Sequence, residues 1–225
     1  GRWAGVLLAT FGLLSIARGA HADPKVAWDV ILDDTAVGTY PYGDIAAIDV
    51  DDAGNVLVGG TLARMFAVTK LSSVTGAKLW QRTLPNASPG NYSNVALALI
   101  ARGGNVYAAG FATLKEWKWD FTVVRLTGAN GTPIWQRSFD GMQGLGDAAF
   151  AITMDNAGNL FAAGELGSPS SWLDFTVAKL EANSGNVSWR HSIAAGTGPG
   201  SRGSAHAVAI DAHGDAIAVG CLGVF

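Results

Sequence analysis

Residues 73–82 read "SVTGAKLWQR" and residues 128–137 read "GANGTPIWQR", so the chain contains a Gly-x-x-x-Trp-Gln-Arg pattern twice. Each tryptophan stands ten residues after a basic residue, and a third pair with the same spacing occurs later in the chain. The three pairs are Lys70 with Trp80, Arg125 with Trp135, and Lys179 with Trp189. A fixed spacing that recurs along a chain indicates an internal repeat.

Four turns that contain glycine set the period of this repeat. They read "DDAGN", "RGGN", "DNAGN" and "AHGD", and their glycines Gly54, Gly104, Gly158 and Gly214 are 50, 54 and 56 residues apart. Each complete unit holds four short apolar runs separated by turn residues, a pattern typical of four strands. Such a unit cannot bury both of its faces alone, so neighbouring units must stack. The sequence therefore predicts an all-β fold, a β-propeller of four-stranded antiparallel blades.

The propeller is predicted to occupy residues 23–225 and to be incomplete. Residues 25–34 match the fourth-strand segments, with Trp28 at the tryptophan position, but no first three strands precede them. This orphan outer strand is expected to close a ring with the early strands of the last blade, which we expect a longer parent of about seven blades to supply. We also expect the chain to be a fragment of a longer repeat protein. The predicted blades are 45–84, 95–139, 148–193 and, as the first half of a fourth, 205–225.

Residues 1–22 are predicted to be a signal peptide with a helical apolar segment. Arg2 precedes an apolar run of about 12 residues, and small residues follow at 20–22, which is the layout of an export signal. The run is shorter than the ~20 residues that a membrane-spanning helix needs. We therefore expect a secreted, periplasmic or cell-surface protein with no membrane span after removal of the signal.

The composition restricts the classes of partner. Residues 1–22 hold two basic residues and no acids, so the remainder has 13 Lys and Arg against 18 Asp and Glu, a net charge of −5. Such a charge disfavours nucleic acid as a partner. Cys221 is the only cysteine, which excludes a disulfide within this chain.

With these residues laid out, the chain resembles the secreted bacterial β-propeller repeat proteins of the seven-bladed type. The resemblance covers roughly residues 25–225 and rests on "GNVYAAG" and "GNLFAAG", each followed by "DFTVVRL" or "DFTVAKL" and a Gly-x-x-x-Trp segment. It implies a propeller fold and an extracytoplasmic location, without implying one activity. A weaker resemblance links "TGAKLW" (75–80) to the Thr-Gly-x-x-x-Trp motif of pyrroloquinoline quinone dehydrogenases, and it implies the quinone and calcium as cofactors.

No motif in the sequence fixes a catalytic residue or a metal site. The stretch Asp49–Gly54 resembles the start of a calcium loop, but Ala53 holds the fifth place and Gly60 the twelfth, so a turn-capping role is favoured. The histidines lack a metal-binding spacing. We therefore favour a binding or scaffold module that has no enzymatic activity and no cofactor. The alternative is the propeller part of a pyrroloquinoline quinone-dependent dehydrogenase.

Long loops of variable length indicate where a ligand would bind. The connections between strands two and three and between blades vary in length, and variable loops on a rigid scaffold usually carry binding residues. Two of these loops contain the candidate residues Lys115, Trp117, Trp119 and Trp172. Exposed tryptophans could stack on a sugar or hold a peptide, so the expected partner is an unknown protein or a glycan. For Trp117 and Trp119 we favour packing over the neighbouring blade above a role in binding.

Overall fold

The fold consists of strands and turns in every part of the chain that can be described. The computed structural model describes residues 13–18, 25–32, 43–85, 87, 93–113, 118–142, 146–169, 171–196 and 200–224. These residues form sixteen strands and no helix. The described part of the chain accordingly has no helix long and apolar enough to cross a membrane.

Three four-stranded antiparallel meanders follow one another along the chain. The first contains β3 (Asp44–Val50), β4 (Val56–Leu62), β5 (Met65–Leu71) and β6 (Lys78–Thr83). The second contains β7 (Val95–Arg102), β8 (Asn105–Ala112), β9 (Asp120–Thr127) and β10 (Pro133–Phe139). The third contains β11 (Ala148–Met154), β12 (Asn159–Gly167), β13 (Leu173–Glu181) and β14 (Val187–Ile193). We call these meanders blades 1, 2 and 3.

A fourth unit consists of one hairpin. Strands β15 (Ser201–Ile210) and β16 (Ala216–Val224) pair antiparallel over most of their length. The hairpin joins the sheet of blade 3 through a single parallel bridge between Leu173 and Arg202. The predicted all-β fold with four-stranded antiparallel blades is therefore confirmed, and the described part of blade 4 has two strands.

An aspartate holds the turn between the first two strands of blades 1 and 3. Asp51 accepts hydrogen bonds from the amides of Ala53 and Asn55, and its carboxylate lies 2.6 Å from the Lys70 ammonium. Although burial raises the pKa of Asp51, the bonds from Lys70 and Asn55 hold it below its ordinary value. The adjacent glycine has a positive φ in all four units: 82° at Gly54, 70° at Gly104, 85° at Gly158 and 89° at Gly214. The aspartate of this turn therefore caps backbone amides.

The first strand of every unit carries a β-bulge. One extra residue interrupts the register with the second strand, and the four bulged residues are Ala46, Leu97, Phe150 and His206. The second strand has a glycine where the bulge approaches it. A Cβ at Gly164 would lie only 1.9 Å from the carbonyl oxygen of Ala148, and the same distance applies at Gly60, Gly110 and Gly220. The bulge therefore requires the glycine that ends each "GNxxAAG"-like segment.

Blades pack face to face through alternating large and small side chains. Between blades 2 and 3, the fully buried Phe121 and Leu160 lie in one cluster with the small residues Ala109, Ala149 and Ala162. A comparable cluster between blades 1 and 2 is centred on Phe66 and Leu126. The small residues let the backbones of neighbouring sheets come close while the large ones fill the space between them.

Three of the outer strands dock a tryptophan on the next unit. The Trp80 indole lies against Gly131, where an added Cβ would be 2.6 Å from the ring, and its Nε1 donates to the carbonyl oxygen of Gly128. Trp135 repeats this contact with Gly185 and the Ala182 carbonyl. Trp28 repeats it with Gly76 and the Ser73 carbonyl. These tryptophans are buried, whereas Trp189 is 40% exposed.

The basic residue ten positions before the tryptophan reaches the same place. Lys70 pairs with Trp80 across β5 and β6, and its ammonium also donates to the Gly128 carbonyl, at 2.8 Å. Arg125 does the same toward the Ala182 carbonyl. The spacing of ten residues therefore brings two donors from paired strands onto one carbonyl oxygen of the next blade.

The N-terminal segments differ from one expectation. Strand β2 (Lys25–Ile31) pairs with β1 (Leu13–Arg18), and within the described residues it does not pair with the C-terminal strands. The β1 residues belong to the predicted signal helix, and their strand conformation corrects that prediction for 13–18. The apolar run Leu13, Leu14 and Ile16 supplies a strand that satisfies the backbone groups of β2. The rest of 1–22 lies outside the described residues.

Candidate functional site

The sequence-predicted binding residues fall into three groups. Lys115 and Trp117 lie outside the described residues. Trp119 is half-buried, with its ring 4.9 Å from that of Phe111 and against the backbone of Gly146. Trp172 is 51% exposed. Trp119 therefore packs down over its neighbours, and Trp172 is the described candidate that presents its ring to solvent.

Trp172 borders a cleft between blade 3 and the fourth unit, the β15–β16 hairpin. The cleft has a volume of about 640 Å³, within the usual range for small-molecule sites. It lies beside the loop between β12 and β13 and beside the connection into β15. Its lining residues come from blade 3, the connection and the hairpin: Phe150, Glu165, Trp172, Gly200, Arg202, Ser204, His206 and Cys221.

A charged pair spans the cleft from one unit to the other. Arg202, near the start of β15, donates from Nη2 to Glu165 Oε1 at 2.7 Å and from Nε to Oε2 at 3.3 Å. The Glu165 side chain is buried, whereas the Arg202 side chain is 52% exposed. The hydrogen bond and charge of Glu165 raise the pKa of Arg202, so the guanidinium stays protonated. The buried Glu165 carboxylate therefore fixes the Arg202 guanidinium at the cleft surface and neutralises its charge.

The bulged residues of two neighbouring units meet in the same cleft. The rings of Phe150 and His206 are 5.6 Å apart at a tilt of 31°. Both residues occupy the bulge of a first strand, so the bulge turns their side chains toward the cleft. Cys221 lies beside them, with its Sγ 3.6 Å from His206 Nε2. The wall next to the charged pair is thus largely aromatic.

One buried hydroxyl in the lining has no partner among the described residues. Ser204 is 4% exposed, and its Oγ makes no hydrogen bond to the part of the protein that the structure describes. A buried polar atom without a partner favours a site where a water molecule or a ligand hydroxyl completes the bonding.

Three carboxylates form a separate group that could hold a cation. Asp120, Asp140 and Asp147 place their oxygens within 4.8 Å of one another. However, both oxygens of Asp147 already accept backbone hydrogen bonds, from Gly141 at 2.5 Å and from Gly167 at 2.6 Å. Burial, together with the charges of Asp140 and Glu165, raises the pKa of Asp147 to about 6 despite these bonds. Both oxygens of Asp147 are therefore engaged in holding the backbone at Gly141 and Gly167, which makes this side chain a poor metal ligand.

The described residues do not fit a quinone site with calcium. The carboxylate in the cleft, Glu165, is bound to Arg202, and a cation there would have to displace the guanidinium. The three-carboxylate group uses other residues, and its most buried member is engaged by amides. The predicted alternative cofactors thus gain no support from these side chains.

Solved structures establish the architecture. A quinohemoprotein alcohol dehydrogenase from Comamonas testosteroni matches with a TM-score of 0.58 and 14% identity, over 96% of this chain and 39% of its own. The chain has a β-propeller fold. The quinohemoprotein alcohol dehydrogenase ADHIIG from Pseudomonas putida HK5 matches this propeller with the same TM-score and identity, over 97% and 39% of the two chains.

A third solved structure, a protein of unknown function from Bacteroides caccae, has a TM-score of 0.50 and 16% identity to the propeller, over 92% of this chain and 62% of its own. The propeller thus spans from 39% to 62% of the length of these three chains. At these identities the likeness concerns the fold alone. No protein-family model and no curated protein matches the sequence.

Sequence reasoning found Trp172 but missed the residues around it. Their signal lies in the repeat itself: the residue after the second-strand glycine is Thr61, Phe111, Glu165 or Cys221, and the bulged residue also changes from unit to unit. Positions that vary within an otherwise constant repeat are candidates for ligand contacts. The sequence does not reveal the bulge, and it is the bulge that directs Phe150 and His206 into the cleft.

Proposed function

We propose that the protein is an exported β-propeller binding module that takes its ligand in the cleft between blade 3 and the fourth hairpin. The observation that carries this proposal is a cleft of about 640 Å³ that combines the exposed Trp172 ring with the fixed Glu165–Arg202 pair. Concave sites with aromatic walls and a few convergent polar groups are the usual form of ligand sites. The cleft also borders the variable loops on which the sequence predicts binding.

Binding is favoured over catalysis because the reactive groups of the cleft lack a complete catalytic arrangement. Cys221 and His206 are close enough to interact. Among the described residues, however, no carboxylate hydrogen-bonds to the His206 ring, so the group that orients a catalytic histidine is missing. Glu165 is held by Arg202 and is not free to act as a base.

The predicted export signal and the repeat pattern support the rest of the proposal. Residues 1–22 have the layout of a signal peptide, and the repeat resembles that of secreted bacterial propellers of the seven-bladed type. We infer a secreted, periplasmic or cell-surface location and a ligand that is a glycan or a protein segment. The dehydrogenase alternative predicts dye reduction with alcohols or sugars once pyrroloquinoline quinone and Ca²⁺ are added, and its absence would reject that alternative.

A ligand screen with matched tryptophan variants tests the binding function. The whole chain is titrated by NMR with three classes of probe: neutral mono- and disaccharides, N-acetylated dipeptides and indole-type fragments. We expect at least one class to shift the resonances of cleft residues and to lose affinity at least tenfold in Trp172→Ala. Trp189→Ala is the control, because Trp189 is similarly exposed and does not line the cleft.

The proposal fails if no probe class perturbs the cleft. It also fails if the two tryptophan variants bind every probe as the unmodified chain does.

A further inference from the structure

We propose that the ligand of this cleft is a neutral carbohydrate, with a pyranose ring stacked on Trp172 and neighbouring hydroxyls bound by the Glu165–Arg202 pair. This inference rests on the binding function proposed above, and it specifies the class of ligand. It follows from the charge of the cleft, from its hydrogen-bonding groups and from its aromatic walls.

The charge of the cleft favours an uncharged ligand. Its cation, Arg202, and its carboxylate, Glu165, neutralise each other at 2.7 Å. An anionic ligand that used the free N–H groups of Arg202 would lie beside the Glu165 carboxylate, and the two negative charges would repel each other. A cationic ligand would meet the half-exposed guanidinium first. A neutral ligand can bind while the ion pair stays intact.

The hydrogen-bonding groups match a pair of neighbouring hydroxyls. In the contact with Glu165, Arg202 uses Nε and Nη2, so N–H groups on Nη1 and Nη2 remain for a ligand. The carboxylate oxygens keep lone pairs that can accept from the same ligand. Because a hydroxyl both donates and accepts, two adjacent sugar hydroxyls can satisfy this donor and acceptor together. The unpartnered Ser204 hydroxyl offers a further polar contact of the same kind.

The aromatic lining suits the apolar face of a sugar ring. Trp172 presents a large exposed ring, and the half-buried Phe150 packs against the exposed His206 in the same lining. A pyranose has one face covered by C–H groups, and such a face packs on an indole without losing the hydrogen bonds of its hydroxyls. A cleft of about 640 Å³ accommodates one or two such rings.

A peptide and a nucleotide fit the same cleft less well. An extended peptide gains most of its affinity from the backbone groups of a strand edge, whereas these groups are side chains. A nucleotide carries negatively charged phosphates. Their binding is disfavoured because Arg202 is already paired with Glu165 and because residues 23–225 have a net charge of −5. A neutral sugar is the class that uses both the rings and the ion pair.

The experiment measures affinities for three probes by titration calorimetry: a neutral disaccharide series, glucuronic acid and inorganic phosphate. We expect a neutral saccharide to bind most tightly, with a Kd that changes less than twofold between 50 and 500 mM NaCl, because no net charge is neutralised. Trp172→Ala should weaken this binding at least tenfold, and Trp189→Ala should leave it unchanged.

A double variant tests the ion pair without leaving a buried charge unpaired. Glu165→Gln together with Arg202→Gln keeps polar groups in place and removes both charges, which avoids the destabilisation expected from removing Arg202 alone. We expect this variant to fold and to bind the saccharide at least tenfold more weakly, because charged partners make the stronger hydrogen bonds.

Three outcomes would overturn the carbohydrate inference. Tighter binding of glucuronic acid or phosphate, with strong salt dependence, would replace the neutral sugar by an anion. Binding of the N-acetylated dipeptides at the cleft in the NMR titration, without any saccharide binding, would replace it by a peptide, and the proposed binding function would survive. Absence of every ligand from the cleft would remove both proposals together.

Discussion

At the scale of single residues, the contact between a tryptophan and a glycine joins one blade to the next. The indoles of Trp28, Trp80 and Trp135 each lie on the backbone of a glycine in the following unit. The glycine has two roles there, because its φ is positive and because a side chain would occupy the space of the ring. The Arg82 and Arg137 guanidinium groups donate to the carbonyl oxygens of Gly131 and Gly185. The tryptophan and the arginine of one outer strand thus both hydrogen-bond to the same turn of the next blade.

Replacing two glycines that share one backbone conformation separates these two roles. Gly104 and Gly131 both have a φ of 70°, but an added Cβ meets nothing within 4 Å at Gly104 and lies 2.6 Å from the Trp80 ring at Gly131. Gly104→Ala should lower the free energy of unfolding by about 1 kcal/mol through backbone strain. Gly131→Ala should lower it by about 3 kcal/mol or more, since the indole must also move. Urea denaturation of both variants measures the difference.

Equal losses in the two variants would contradict this account. They would mean that displacing the indole from the neighbouring turn costs nothing.

The tryptophan contact also shows what sequence alone could supply. The spacing of Lys70 and Trp80 marks them as a repeated pair, and their role as packing residues follows from the regularity of that spacing. That both side chains reach the Gly128 carbonyl depends on how the next blade is placed. The sequence contains both ends of this contact but does not pair them, because the two ends are 48 and 58 residues apart.

At the scale of strands and loops, the apolar runs between turn residues predict the blades well, whereas the bulge escapes prediction. Its residue is Ala46, Leu97, Phe150 or His206, and side chains of such different size and polarity leave no common signal. The constant feature is the glycine opposite, whose need for empty space becomes visible only when the two strands are paired. The cleft depends on this bulge, since it directs Phe150 and His206 into the lining. Glu165 and Arg202 were missed for a related reason, because they meet across two units.

The connection between blades 2 and 3 should make stability depend on pH. Asp147 joins this connection to the end of β12 through the amides of Gly141 and Gly167, and burial raises its pKa to about 6. The folded protein therefore holds the proton more tightly than the unfolded chain, whose aspartate titrates near 3.8. The contribution of Asp147 to stability is greatest below pH 4 and declines as the pH rises to about 6.

Chemical denaturation at a series of pH values measures this effect. We expect a decline on the order of 1–2 kcal/mol between pH 4 and pH 6 that is specific to Asp147. Asp147→Asn should be less stable at pH 4 because its amide group accepts from one backbone amide only, and its stability should change less across that interval. An identical pH profile in the variant and the unmodified chain would show that another group titrates.

At the scale of the whole molecule, the blades form a series in which each unit is stabilised by its neighbours. Three tryptophans are buried by the unit that follows them, and Trp189 remains 40% exposed with its ring edge-on to Phe161. The stability of such a series is approximately a sum of unit and neighbour contributions. A tryptophan should therefore contribute different amounts to the free energy of unfolding at different positions in the chain.

Removing the two tryptophans one at a time tests this difference. Trp135→Ala should lower the free energy of unfolding by about 3–5 kcal/mol, because a buried ring and its hydrogen bond to Ala182 are lost. Trp189→Ala should cost less, about 1–2 kcal/mol, since its ring is 40% exposed and keeps only an edge-on contact with Phe161. Thermal and urea denaturation of the two variants provide the comparison. A large loss in Trp189→Ala would show that this ring is packed in solution.

The docking of each tryptophan on the unit after it gives the molecule a direction. The carbonyl that receives Trp80 lies 48 residues further along the chain, and the one that receives Trp135 lies 47 residues further along. A blade that emerges from the ribosome therefore cannot bury its outer tryptophan until almost one more repeat has followed. The contacts between blades can therefore form only in chain order during synthesis, because each outer tryptophan needs the backbone of the following unit.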